Sequence, residues 1–100
     1  MKILQSKDRQ AIITVTFDFS ADAETIAIAT VTALAAQGLD DPAAAAMLSG
    51  SAGIAGPLVL QRIAGGRSGT TYILRCVAND ADGEVHVLSA ALPVAVETVA

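Results

Sequence analysis

The chain has 100 residues, enough for one domain spanning 1–100, and 53% of them are apolar; Trp is absent and the only aromatics are Phe17, Phe19 and Tyr72, so the core is thin and rich in alanine. The net charge is −4 and the six basic residues (Lys2, Lys7, Arg9, Arg62, Arg67, Arg75) are dispersed, which excludes the basic patch that nucleic-acid binding needs. The single Cys76 excludes an intramolecular disulfide, and no apolar run reaches the roughly 20 residues of a membrane span or follows Met1-Lys2 as a signal peptide would, so a soluble protein made inside the cell is expected.

In chain order, "MKILQSKDRQ" has no period, and residues 1–9 read as a tail or an edge segment. "AIITVTFDF" alternates, with Ile13, Val15, Phe17 and Phe19 on one side and Thr14, Thr16 and Asp18 on the other, the pattern of a half-buried strand. "SADAE" is a break. "ETIAIATVTA" is again strand-like, but Ile26 and Ile28 share a parity that Val31 does not, and a β-bulge would reconcile them. In "GLDDPAAAAMLSG", Asp41 suits an N-cap and Pro42 the first helical position, predicting a short helix near residues 41–48 that docks through Met47 and Leu48. "SAGIAG" reads as a loop and "PLVLQRI" as a strand.

The glycines of "AGGRSG" predict a tight connection. "TTYILRCVA" then places Tyr72, Leu74, Cys76 and Ala78 on one face and Ile73, Arg75 and Val77 on the other, itself largely apolar. Asp82-Gly83 is a hairpin signal, "EVHVLSA" the returning strand, and "LPVAVETV" a last strand with Pro93 at an edge or bend. The sum is an all-β chain: a small antiparallel sandwich of about six to seven strands.

Each candidate site has a plainer account. "GGRSG" lacks the Lys-Ser/Thr ending and following helix of a phosphate loop, and reads as a turn. "NDADG" begins like a calcium loop but lacks its length and distal Glu. Cys76 has His86 as its one conceivable base and no orienting third group, so it is expected to be buried core. His86, between Val85 and Val87, reads as a solvent-side residue. Asp18, Asp22, Glu24, Asp40, Asp41, Asp80, Asp82 and Glu84 read as solvated turn residues. No catalytic, cofactor or metal site is therefore expected. The candidate contact face is Ile73, Arg75 and Val77, where an arginine sits within an apolar surface.

The segments "SADAETIAIATVTA", "AAAAMLSGSA", "LVLQRIAGGRSGTTYILRCVANDADGE" and "LPVAV", in this order and spacing, resemble a group of small immunoglobulin-like proteins of tailed bacteriophages and prophages, across Lys7 to Val96. The chain departs from that group in lacking a Pro after Lys7-Asp8 and in carrying "FDF" where a Trp is expected. The resemblance implies an immunoglobulin-like sandwich and a non-catalytic virion structural or adaptor protein of the tail or fibre. It implies other virion proteins as partners and passage from host cytoplasm to virion. Self-association is a further expectation, from the apolar face and from the edge strands a sandwich leaves open. It carries over no catalytic residue. The competing readings are an immunoglobulin-like module for peptide or carbohydrate, which the scarcity of aromatics disfavours, and a small enzyme.

Overall fold

The computed structural model describes residues 2–37 and 44–95. Seven strands run in chain order: β1 (Lys2–Ile3), β2 (Ile13–Asp18), β3 (Ile26–Gln37), β4 (Leu48–Ala55), β5 (Leu58–Ile63), β6 (Thr71–Asp80) and β7 (Val85–Pro93). They form a four-stranded sheet, ordered β1-β7-β6-β3, and a three-stranded sheet, ordered β2-β5-β4. Lettered A to G in chain order, the sheets contain C-F-G and B-E-D, the strand pairing of an immunoglobulin fold, with the first strand beside G. Neighbours are antiparallel except β1, which runs parallel to β7. The N-terminal segment lies along that edge: Leu4 N–H donates to Ala91 O, Lys7 N–H to Pro93 O, and Lys7 bridges Val94.

Alternation places the core where period two puts it. Val15, Phe17 and Phe19 point inward from the β2 side, Val59 and Ile63 from β5, and Tyr72, Leu74, Cys76 and Ala78 from β6. The conflict of parity in β3 is resolved by a bulge between Ile26 and Ile28: Ile26 is buried, Ile28 is turned out to solvent, and Val31 is buried again.

Three sequence expectations change. The helix expected near 41–48 is, in its described part, a four-residue 3-10 helix (Ala44–Met47), and Asp41 and Pro42 lie outside the described residues. Ala44 and Met47 face the core at a spacing of three, the period of a 3-10 turn, so one turn suffices to dock the segment. Leu48 already begins β4, which takes in most of the expected "SAGIAG" loop and continues to Ala55. Its pairing with β5 slips between Ser49 and Gly53, and buried Gln61 spans the irregularity by donating from Nε2 to Gly50 O and Arg62 O. Finally, the two strands expected after Gly83 are one, because Pro93 stands at the end of β7, where a missing N–H does not break the ladder.

Cys76 is fully buried on the inner face of β6, and burial pushes its thiol up to about 11. A thiol reagent at pH 8 is expected to modify the native protein at least about a hundredfold more slowly than the urea-unfolded chain, since access requires opening of a marginally but genuinely stable core. Comparable rates in the two states would place the thiol at the surface.

Candidate functional site

The outward face of the four-stranded sheet is built by register. Antiparallel partners share a face, so Thr30, Val77 and Val87 form one cross-strand row, Thr32, Arg75 and Ser89 the next, and Leu34, Ile73 and Ala91 a third, which Ile3 extends from β1. Ile28, Asn79 and Val85 make the row toward the β6–β7 hairpin. Ile73 and Val77 are half-buried and Arg75 is exposed. Around them Ile3 is 75% exposed, Ile28 64%, Leu34 60%, Val85 58% and Val87 44%. Those five are most of the large exposed apolar side chains among the described residues, the others being Ile12 and Ile54. The three residues singled out from sequence thus stand at the centre of a wider apolar surface, and Arg75 is the one charged side chain in its four rows.

Ile28, Leu34, Val85 and Val87 were not singled out as part of this face. Ile28 needed the bulge to be located. Val85 and Val87 needed the hairpin register.

At the end of the same sheet, the β6–β7 hairpin collects a second group. Asp80 N–H donates to Glu84 O and Gly83 N–H to Asp80 O, enclosing Ala81, Asp82 and Gly83 in a three-residue loop with Gly83 at a φ of +89°. Asp80 Oδ1 accepts from the backbone N–H of both Asp82 and Glu84, at 2.9 Å each, and Asp80 Oδ2 lies 2.9 Å from His86 Nε2. Asp80 is therefore buried, contrary to its expected place among solvated turn residues, and His86 faces inward instead of to solvent. Its ring lies 6.4 Å, centroid to centroid, from that of Phe19. The hydrogen bond to Asp80 raises the His86 pKa, with Asp22 and Glu84 adding to it, and the bond from His86 holds the Asp80 carboxyl below its usual range.

The lowered Asp80 contributes stability that is present above its unfolded value, about 4, and lost as pH falls through its lower folded value. The raised His86 contributes stability that is full below its unfolded value, about 6.5, and lost as pH rises through its higher folded value. The pair's joint contribution is therefore greatest between about pH 4 and 6.5. Thermal melting of the wild type against His86→Gln should show a difference that shrinks above pH 7; a difference constant from pH 5 to pH 9 would refute the ionic part of this contact.

Cys76 and His86 do not form a dyad: Cys76 is paired in register with Leu88, and His86 is occupied by Asp80. "GGRSG" is a turn between β5 and β6, with the Arg67 N–H donating to Tyr72 Oη. Among the described residues no helix is long and apolar enough to cross a membrane.

The four-stranded sheet thus presents an apolar outer face around Arg75. Residues 7–93 match the family model described as podophage GP4 fiber-tail adaptor protein gp77. The chain belongs to this family. The adaptor is therefore a structural component of a phage virion, of the kind that works between tail and fibre, and its contacts are with other virion proteins. The match runs through β3, β6, β7 and the hairpin, while β1 with Ile3 lies before it. No protein of curated function and no solved structure matches the chain.

Proposed function

We propose that this adaptor joins fibre to tail without catalysing a reaction, and that it does so through the outward face of the four-stranded sheet, with Ile73, Arg75 and Val77 at the centre of the contact. The observation that carries the proposal is the gathering of Ile3, Ile28, Leu34, Val85 and Val87 around those three residues on one uncharged sheet surface broken only by Arg75. Apolar surface of this kind is stabilised by being covered, and an arginine inside it is a common anchor.

A different virion protein fits this surface better than a second copy of the chain. An isologous contact centred on the face would set Arg75 against its own symmetry mate, two like charges in a desolvated interface. A partner offering apolar side chains around one carboxylate satisfies the same face. Nucleic acid and membrane are not proposed partners, since one arginine does not make a basic surface. The proposed itinerary is assembly in the host cytoplasm followed by incorporation into the virion.

Thr32→Glu and Ile73→Asp test the proposal. Thr32 is exposed opposite Arg75, so Thr32→Glu should leave the circular dichroism spectrum unchanged while incorporation into particles falls at least about tenfold. Ile73→Asp should act in the same direction. Native-like spectra with normal incorporation in both variants would remove this face from the assembly contact.

A further inference from the structure

We propose that the β6–β7 hairpin is a binding site for a divalent transition-metal cation of the zinc type, held by Asp80 Oδ2, His86 Nε2 and the Glu84 carboxylate. One ligand atom from each of these residues lies within 4.8 Å of the others. Carboxylates alone would be ordinary turn chemistry. The imidazole converging with them gives a nitrogen–oxygen ligand set suited to zinc more than to calcium or magnesium.

The geometry is close to what such an ion requires. With metal–ligand bonds of about 2.0–2.2 Å, two ligands of a tetrahedral site stand roughly 3.3–3.5 Å apart. Nε2 and Oδ2 are 2.9 Å apart, separated by a proton. Replacing that proton with a cation needs a separation of a few tenths of an ångström, and the proton leaves to solvent. Asp80 is already oriented as a ligand, because its other oxygen is fixed by the Asp82 and Glu84 N–H groups. The His86 ring lies beside the buried Phe19 ring, 6.4 Å centroid to centroid. Glu84 is exposed and free to swing inward.

Beside the ligands opens a cleft of about 600 Å³ whose lining includes Asp22, Glu24, Asp80, Asp82 and Glu84 and no basic residue. It leaves room for water to complete the coordination shell, and its field favours a cation.

The test is calorimetric titration of the chelator-treated, dialysed full chain with zinc chloride at pH 7.5, with the imidazole resonances of His86 followed by NMR. Expected are saturation at one ion per chain, a shift of the His86 resonances, and at least about tenfold weaker binding in Glu84→Gln, whose exposed side chain is not needed for folding. Glu24→Gln, which alters the cleft wall but no ligand, should stay within about threefold of wild type. Absence of saturable binding would overturn the site. So would zinc binding that persists unchanged in His86→Asn, or calcium binding of equal strength, since either would mean diffuse attraction to carboxylates.

Discussion

Gly66→Ala is expected to destabilise the protein by about 2–5 kcal/mol, the sum of backbone strain and overpacking. Gly66 has a φ of +98°, where a side chain is strained whatever the space around it. A Cβ placed there would also stand 2.9 Å from Val94 Cγ2, 3.0 Å from Met47 Cε and 3.4 Å from Tyr72 Cε2. The methionine end can swing away, but Val94 is β-branched and buried on the strip that continues β7, and Tyr72 is fully buried. Gly83 is the matched control. Its φ is +89°, yet nothing lies within 4 Å of the added atom, so Gly83→Ala carries only strain, roughly 1–2 kcal/mol. Urea denaturation of the two variants separates the contributions. Equal midpoints would show that the packing around Gly66 yields without cost.

Phe19→Ala should cost about 3–5 kcal/mol, the usual range for removing a buried aromatic ring. Phe19 is 1% exposed. It also organises the end of the sandwich: its N–H donates to Pro57 O, and its carbonyl accepts from Asp22 and Ala23. In a chain with three aromatics, such a loss is a large share of a total stability of about 5–15 kcal/mol. Because the ring neighbours His86, the deletion should also loosen the Asp80 clasp and flatten the pH dependence of melting. A variant that melts within a degree or two of wild type would show that the core collapses around the vacancy.

The same residues show how far the sequence could be read. Strands with one buried face were legible because alternation is a direct imprint of burial: Val15 and Phe17 of β2 with Phe19 just past its end, and Tyr72, Leu74, Cys76 and Ala78 of β6, are buried as their parity requires. The bulge in β3 was legible as a conflict of parity, although which isoleucine it turns outward was not. β4 escaped because its glycines and serines carry no apolar alternation, and its slipped register spaces the half-buried Leu48 and Ala52 four residues apart.

His86 was misplaced by one residue of register. If Asp82-Gly83 is taken as a two-residue turn, Asp80 pairs with Val85 and Ala78 with Val87, and both valines enter the core. The loop in fact has three residues, with Gly83 in its left-handed last position, so Ala78 pairs with His86 and Asn79 with Val85. The cause is Asp80, whose Oδ1 captures the N–H groups of Asp82 and Glu84. That one hydrogen-bonding choice turns Val85 and Val87 out onto the outward face and His86 in toward Asp80. Both the width of the candidate face and the existence of the hairpin cluster were hidden behind it.

The central claim, that the adaptor is seated in the virion by the outward face of its four-stranded sheet, is tested most directly by labelling in place. Thr32→Cys puts a thiol opposite Arg75 on that face, and Ser51→Cys puts one on exposed β4 of the other sheet, while native Cys76 stays buried and silent. Both new thiols should react rapidly with a maleimide in the free protein. In purified particles, the thiol at position 32 should become protected and the one at position 51 should remain reactive. Full reactivity at position 32 within the particle would contradict the account.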